Sequence, residues 1–234
     1  MIEINRIYNE NCLQTMARMP DNFVDLIITS PPYNLGNNHH TENFKHFPYK
    51  DNLKESKYQK QQITILNELF RITTKEGWLF YNHKNRIKNK IMITPYSWLL
   101  KTEWTIRQEI VWINGTPQFD NCRFYPFTER IYCLAKSKES YLKNILRLKD
   151  YWSINPVGTE GLHKRAFPDK LVNNIIASIP YVKLIYDPYC GSGTVIAAAV
   201  KAKKNWIASE IEKKYCDIIQ KRIDPILKQE RLFK

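Results

Sequence analysis

Apolar residues in this chain of 234 residues follow two patterns: short continuous runs, and stretches in which they recur every three or four positions. The run VDLIITS at residues 24–30 belongs to the first kind, which is typical of a strand covered on both faces in a parallel sheet. It stops at Pro31 and Pro32, because a proline has no backbone N–H to donate to a central strand ladder. The segment from Ser30 to Tyr33 is therefore predicted at the carboxyl end of a buried strand, the edge at which open α/β sheets bind ligands.

The last quarter of the chain shows a similar pattern with a glycine turn. KLIYD at residues 183–187 predicts a strand, CGSG at 190–193 predicts a tight turn, and the alanine-rich sequence from 194 predicts a helix. NWIASE at residues 205–210 predicts another strand, and a final helix is expected over 211–227. A strand, a glycine turn, a helix and a second strand form one half of a nucleotide-binding βαβ unit.

The middle of the chain predicts further strands and helices. Residues 63–73 have helical spacing that is expected to end at Gly77, and WLFY at residues 78–81 predicts the next strand. The basic stretch KNRIKNK, residues 84–90, is expected to open a helix that ends near Trp104. The remaining predictions are a strand over 2–8, an amphipathic segment over 13–19, a hairpin with a long tip formed by 105–113 and 128–136, and a helix over 167–178 that begins near Pro168.

Together these elements predict an α/β fold, with a mostly parallel twisted sheet, helices on both faces and an antiparallel hairpin at one edge. No internal repeat and no clear linker divides the sequence, so residues 1–234 are expected to form a single domain. Three polar or charged stretches, at residues 37–62, 114–125 and 137–161, are predicted to be irregular insertions. Insertions of that length in a compact domain are commonly functional.

The amino-acid composition limits the classes of function that the protein can have. The chain has 36 Lys and Arg against 23 Asp and Glu, a formal net charge of +13, and it contains 14 Tyr, 10 Phe and 6 Trp. Cations that neutralise phosphates and rings that stack on bases indicate a polyanionic partner such as a nucleic acid. The five cysteines include no C-x-x-C pair, so neither a disulfide framework nor a metal site is expected. Without a long apolar run or a secretory signal pattern, the protein is expected to be soluble and intracellular.

The glycine turn is the first motif with chemical content. In DPYCGSGT, from Asp187 to Thr194, the glycines let the backbone approach a ligand, and the amides of a helix start favour an anionic group such as a carboxylate. A G-x-G alone is as compatible with a structural turn as with a site. Glu210, at the end of the next strand, favours a site because an acidic side chain there can accept from ribose hydroxyls. No Gly-Lys-Ser/Thr follows the turn, so a nucleoside without a triphosphate is the preferred ligand.

The second motif is TSPPY at residues 29–33, which is either a strand ending in a proline turn or a catalytic element. An exocyclic amine on a nucleobase is conjugated to its ring, so its lone pair is a poor nucleophile. The Ser30 hydroxyl and the Pro31 carbonyl, held rigidly by Pro31 and Pro32, could accept both N–H hydrogens and turn the lone pair towards an electrophile. Tyr33 would offer a ring on which a flipped base stacks, a contact worth about 1–3 kcal/mol.

With TSPPYNLG and DPYCGSGT in this order, the sequence resembles the S-adenosylmethionine-dependent amino-methyltransferases of bacterial and phage DNA, in their permuted β group. The resemblance covers nearly the whole chain. It implies a Rossmann-like methyltransferase fold, S-adenosyl-L-methionine as cofactor and double-stranded DNA as substrate. A flipped base would receive the methyl group by direct in-line transfer, without a metal and without a covalent enzyme intermediate. The irregular insertions would then carry DNA recognition.

The resemblance also implies roles for individual residues. Ser30, Pro31, Pro32 and Tyr33 would form the catalytic element. Cofactor contacts are implied along the glycine turn, at Asp187, Tyr189, Gly191, Ser192, Gly193 and Thr194. Glu210 would take the ribose hydroxyls, and an element at residues 167–171 would close over the cofactor with Phe167 and Lys170 as contacts. Glu10-Asn11 stands where the family commonly has Gly-Asp, so the side-chain carbonyl of Asn11 is the acceptor left for the adenine amine.

Within this resemblance, the motif residues also indicate which base receives the methyl group. Carbon-5 methylation of cytosine needs a cysteine nucleophile after a proline, and none of the 12 prolines is followed by Cys. Ser-Pro-Pro-Tyr preceded by Ile-Thr looks most like enzymes that act on the N4 amine of cytosine. Asp or Asn in place of Ser30 is usual for the N6 amine of adenine, which is the alternative.

Rival functions share parts of this pattern. An RNA or protein-glutamine methyltransferase would use the same chemistry, and a catalytically inactive nucleic-acid-binding module would keep only the fold. A nicotinamide enzyme is disfavoured by the missing third glycine. The resemblance leaves open a cognate restriction endonuclease and a homodimer as partners, and it implies a cytoplasmic, nucleoid-associated protein with no membrane partner.

Overall fold

A computed structural model describes residues 2–35, 51–115, 121–143, 146–156 and 167–232. Parts of the three predicted insertions, residues 37–50, 116–120, 144–145 and 157–161, lie outside the described residues. The elements are, in chain order, β1 Arg6–Tyr8, α1 Cys12–Met16, β2 Val24–Thr29, α2 Glu55–Ile72, β3 Thr73–His83, β4 Arg86–Lys88, β5 Ile91–Ile93, α3 Tyr96–Leu99, β6 Thr105–Ile113, β7 Thr128–Ala135, β8 Tyr151–Ser153, α4 Asp169–Ser178, β9 Leu184–Asp187, α5 Thr194–Lys201, β10 Asn205–Ser209 and α6 Lys213–Leu232.

Among the described residues, eight strands form one sheet in the order β1-β10-β9-β2-β3-β7-β6-β8. Neighbouring strands are parallel except at β7, which runs antiparallel to both β3 and β6. The mostly parallel sheet with an antiparallel hairpin towards one edge is therefore confirmed. Strand β8 adds a further parallel strand outside that hairpin.

Side-chain alternation along the central strands divides the core between the two faces of the sheet. Leu26 and Ile28 of β2 pack with α4, α5 and α6 on one face, whereas Ile27 packs with α1, α2 and α3 on the other. In β3, Phe80 packs on the first of these faces and Tyr81 on the second. Helices thus cover both faces, and each fully buried aliphatic or aromatic side chain contributes about 1.5–3 kcal/mol.

The prediction that the helix after the first insertion ends at Gly77 is wrong. Helix α2 begins earlier, at Glu55, and ends at Ile72, and β3 begins at the next residue, so Gly77 lies inside a strand. A Cβ at Gly77 would lie 2.9 Å from the backbone oxygen of Asp25 in the neighbouring strand. Close packing of β2 against β3, and not helix termination, accounts for this glycine.

The basic stretch at residues 84–90 does not open a helix either. It forms β4 and the turn to β5, in which Asn89 and Lys90 have φ of 51° and 61°. Two successive positive φ values suit the two-residue turn of a hairpin. The last insertion also contains the short strand β8, whose Trp152 is buried, although that stretch is predicted to be irregular.

Other predicted elements are present with shifted ends. The first strand is limited to Arg6–Tyr8, and the last helix extends to Leu232. No helix in the described part of the chain is long and apolar enough to cross a membrane.

Candidate active site

The two sequence motifs meet at a cavity of about 1560 Å³, which opens where the parallel strands end. Ser30 follows β2, Asp187 ends β9 and Glu210 follows β10, and all three line this cavity. A typical small-ligand site has a volume of roughly 300–1,000 Å³. The cavity is therefore large enough for a cofactor and a second molecule side by side.

Asp187 is a buried carboxylate in the wall of the cavity. Its Oδ1 accepts hydrogen bonds from Thr29 Oγ1 at 3.0 Å and from the backbone N–H of Tyr189 at 3.1 Å. Burial raises the pKa of Asp187 from 3.8 to about 7, although the two hydrogen bonds act in the opposite direction. A cationic group of a ligand would favour the ionised form of this carboxyl.

The glycine turn is shaped by two left-handed residues. Gly191 has φ of 51° and Gly193 has φ of 80°, a region that favours glycine. A Cβ at Gly193 would lie 2.9 Å from Ile219 Cγ1 of α6, so α6 packs directly against the turn. These contacts fix the start of α5 beneath the cavity.

Glu210 connects the end of β10 to the same turn. Its Oε2 accepts from the backbone N–H of Gly191 at 2.8 Å, and its Oε1 accepts from the backbone N–H of Glu212 at 2.9 Å. Burial raises the pKa of Glu210, against these backbone hydrogen bonds. The carboxylate therefore has a fixed orientation beside the glycine turn.

The other residues predicted to contact a cofactor fall into two groups. Those that line the cavity are Asn11, Phe167, Tyr189, Ser192 and Thr194. Asn11 also caps α1, because its Oδ1 accepts from the backbone N–H of Leu13 at 2.9 Å. Lys170 is exposed on α4 and lies outside the cavity lining, and Gly193 supports the turn without lining the cavity.

Tyr33 is held at both its hydroxyl and its ring. Ser30 Oγ lies 2.8 Å from the Tyr33 hydroxyl, which donates to Glu129 Oε2 at 2.9 Å. The ring is 8% exposed, its centroid lies 4.5 Å from that of His83, and Lys84 Nζ lies 5.5 Å from the centroid. Burial raises the pKa of Tyr33 well above 10, and the Glu129 charge adds to this effect, so the hydroxyl stays protonated. Protein thus already covers most of the ring on which a flipped base is predicted to stack.

The proline turn is supported from helix α2. Tyr58 donates its hydroxyl to the carbonyl of Pro32 at 2.7 Å, and the same hydroxyl lies 2.8 Å from His83 Nε2. Burial lowers the pKa of His83 to about 3, so the imidazole is neutral at ordinary pH. A neutral ring between Tyr33 and Tyr58 packs without the cost of a buried charge.

Asn82 and Glu129, which the sequence does not identify as site residues, complete this corner of the cavity. Asn82 Nδ2 donates to Glu129 Oε2 at 2.9 Å, contacts the Tyr33 hydroxyl and lies 3.4 Å from Ser30 Oγ. They meet because β7 is antiparallel, so the start of β7 lies beside the end of β3. The sequence around Glu129 predicts a strand, but only the pairing of that strand brings the carboxylate to Tyr33 and Asn82.

Basic side chains also reach the cavity. Those that line it are Lys57, Lys60, Lys84 and Arg123. Lys84 lies between β3 and β4 with its Nζ near the Tyr33 ring, and Arg123, in the β6–β7 connection, donates to the backbone carbonyl of Asn85 at 3.4 Å. Cations at this position suit a polyanionic ligand, as the net charge predicts.

Comparison with known proteins gives a family match over most of the chain. Residues 24–221 match the family N6_N4_Mtase, described as DNA methylase. The chain is 28% identical over 255 residues to the type II methyltransferase M2.MboI of Moraxella bovis, covering 96% of this chain and 90% of that protein. It is 24% identical over 256 residues to the type II methyltransferase M.BglII of Bacillus subtilis, covering 92% of this chain and 68% of that protein.

Solved structures have a similar fold. The cytosine-N4-specific PvuII DNA methyltransferase matches with a TM-score of 0.77 and 15% identity, covering 95% of this chain and 87% of that chain. TTHA0409 of Thermus thermophilus, described as a putative DNA modification methylase and complexed with S-adenosyl-L-methionine, matches with a TM-score of 0.71 and 17% identity, covering 94% and 93%. The predicted Rossmann-like methyltransferase fold is thereby confirmed.

Proposed function

The chain belongs to the DNA methylase family of N6 and N4 amino-methyltransferases, and from this premise we propose that it methylates the N4 amine of cytosine in double-stranded DNA. The observation that carries the proposal is the position of the Ser30 hydroxyl at the strand end, in one cavity with Asp187 and Glu210. The structural similarity of the chain to a cytosine-N4-specific methyltransferase supports cytosine over adenine.

The cavity residues fit S-adenosyl-L-methionine, the cofactor of this family. The buried carboxyl of Asp187 would pair with the amino group of the methionine part, and Glu210 would face the ribose hydroxyls. Both carboxyls have pKa values raised by burial, a cost that hydrogen-bond donors and cations of a ligand would offset. When bound, the cofactor supplies a sulfonium methyl group that an amine nitrogen can displace in line.

Ser30 and Pro31 would prepare the amine. A hydroxyl oxygen and a backbone carbonyl at the end of β2 can accept the two N–H hydrogens, so that the nitrogen lone pair turns out of the plane of the base. The prolines restrict this carbonyl to one direction at little entropic cost. Holding two reactants in such a geometry accounts for about 7–11 kcal/mol of a reaction barrier in favourable cases.

The site requires that the base leave the duplex. The exocyclic amine of a paired base cannot reach a cavity at the ends of buried strands, so the nucleotide must rotate out. Lys84, near the Tyr33 ring, and Arg123 both line the cavity and would contact phosphates near the flipped nucleotide. The type II relatives support a place in a restriction-modification system.

Methylation of DNA of known sequence with tritiated cofactor tests the proposal. Mass spectrometry of the nucleosides should detect N4-methylcytosine, whereas N6-methyladenine would select the alternative base. Ser30→Ala should lower single-turnover transfer by roughly 100-fold or more with little change in cofactor binding, because the variant lacks the hydroxyl acceptor. The exposed Ser56→Ala on α2 is the matched control. Binding of DNA without any methyl transfer by the unaltered protein would indicate an inactive nucleic-acid-binding module.

A further inference from the structure

We propose that Glu129 is the final proton acceptor of a hydrogen-bonded relay that runs from Ser30 through Tyr33. The proposal rests on the proposed function, since it concerns the proton that the target amine loses. Ser30 and Tyr33 are close together in the motif, whereas Glu129 joins them only through the fold.

The donor and acceptor roles of Ser30, Tyr33 and Glu129 can be assigned in one way. An ionised carboxylate only accepts, so the Tyr33 hydroxyl donates its single proton to Glu129 Oε2 at 2.9 Å. Tyr33 then has no proton for Ser30, and the 2.8 Å contact between the two hydroxyls must be a donation from Ser30. The Ser30 proton therefore points away from the substrate, and its lone pairs remain to accept an amine N–H.

Asn82 holds the end of the relay in place. Its amide Nδ2 donates to the same Oε2 of Glu129 at 2.9 Å, and Asn82 is 2% exposed. Asn114 Nδ2 lies 3.4 Å from the other carboxylate oxygen, so neutral amides contact both oxygens. These two amides hold the carboxylate in the orientation in which it accepts from Tyr33.

The proton balance of the reaction needs such an acceptor. When the amine nitrogen forms its bond to the methyl carbon, the methyl–sulfur bond of the bound cofactor would break with its electron pair going to sulfur. The nitrogen would become cationic, and one N–H bond must then break with its electron pair returning to nitrogen. That proton passes to Ser30 Oγ as the Ser30 proton moves to the Tyr33 oxygen and the Tyr33 proton moves to Glu129. The carboxyl ends neutral and later loses its proton to solvent through the cavity. A proton acceptor placed in this way contributes roughly 10²–10⁴-fold in rate.

Glu129→Gln tests the relay because glutamine can still accept from Tyr33 but cannot take up its proton. We expect single-turnover transfer to fall about 100-fold, within the range of general-base catalysis, with cofactor and DNA affinities within about twofold of the unaltered protein. The residual rate should rise with pH as hydroxide replaces the carboxylate. Glu129→Asp should recover part of the rate, and Glu76→Gln, exposed at the far end of β3, is the matched control.

Tyr33→Phe provides a second test if Glu129→Gln does not fold. It keeps the ring beside His83 and interrupts the relay, so we expect the same loss and the same new pH dependence. A rate within about threefold of the unaltered protein, or a loss with an unchanged pH profile, would overturn the relay. Failure of the unaltered protein to methylate any DNA would instead overturn the proposed function.

Discussion

The hydroxyl of Thr29 donates a 3.0 Å hydrogen bond to Oδ1 of Asp187, although the two residues are 158 positions apart in the chain. They meet because β2 and β9 are parallel neighbours that end at the same edge of the sheet. Thr29 immediately precedes the proline motif and Asp187 begins the glycine motif. The bond therefore links the proposed catalytic corner of the cavity to the proposed cofactor site.

Thr29→Val should weaken cofactor binding more than it slows transfer at saturating cofactor. Valine has nearly the same shape but removes one of the two hydrogen bonds that the described residues donate to Asp187 Oδ1, leaving that from the backbone N–H of Tyr189. Hydrogen bonds to charged groups are worth about 1.5–3 kcal/mol, so we expect Kd to rise by about tenfold or more. Calorimetric titration measures this, with Thr74→Val at the opposite end of the strands as control. An unchanged Kd would show that Asp187 does not need its neighbour to bind the cofactor.

Cofactor binding should weaken below pH 7. In the protein without ligand the pKa of Asp187 is raised to about 7, whereas pairing with an ammonium requires the ionised form. Binding must therefore release a proton at lower pH, and affinity should fall by up to about tenfold for each pH unit below about 7. It should level off just above 7 and fall again once the cofactor ammonium loses its proton, as α-amino groups do near about pH 8. Titrations in buffers of different ionisation enthalpy measure the released proton. Asp187→Asn should bind weakly with a flat profile, and a flat profile in the unaltered protein would contradict the assignment.

Gly193→Ala should destabilise the fold as well as the site. The alanine would have to adopt a φ near 80° and place its Cβ 2.9 Å from Ile219 Cγ1. Strain of this kind costs about 1–3 kcal/mol, and denaturant unfolding should show a loss of that order. Ile219→Ala removes both Cγ atoms that the new Cβ would approach, but it leaves the dihedral strain. In a double-variant cycle the loss caused by Gly193→Ala should therefore be smaller, though not zero, in the Ile219→Ala background. Full stability of Gly193→Ala alone would show that the turn and α6 can separate.

Local patterns in the sequence predict the two motif positions because each depends on neighbouring residues. Pro31 and Pro32 must end a central strand, and glycines must follow β9 where the backbone takes positive φ. The helices on both faces of the sheet are predicted in the same way, from the continuous apolar run of β2. These features need no knowledge of which strands pair.

Features that depend on strand pairing are the ones that the sequence does not reveal. Glu129 reaches Tyr33 and Asn82 only because β7 is inserted antiparallel beside β3. The strands β4 and β5 have three residues each. In so short a segment, the apolar–polar alternation of a strand cannot be distinguished from the pattern of a basic helix. Gly77 has the spacing of a helix end, whereas its actual role is to let β2 approach β3.

Arg86, on that unpredicted hairpin, should be a strong determinant of stability. Its guanidinium donates to both carboxylate oxygens of Glu55 at 2.9 and 2.8 Å, and it lies 4.9 Å from the centre of the Tyr58 ring. The side chain is 5% exposed, so removing one partner leaves a charge with little access to water. Lysine can replace the charge but neither the paired hydrogen bonds nor the planar contact.

We therefore expect Arg86→Lys to lower the free energy of unfolding by about 2–4 kcal/mol, close to the cost of breaking a buried ion pair. Because Tyr58 supports the carbonyl of Pro32, the same variant should also slow methyl transfer. Denaturant unfolding of Arg86→Lys, Glu55→Gln and the double variant forms a cycle that isolates the pair. A coupling free energy below about 0.5 kcal/mol, the usual additivity error, would mean that the two side chains act independently. Lys88→Arg, on the exposed side of the same hairpin, serves as the control because its side chain lies outside this contact.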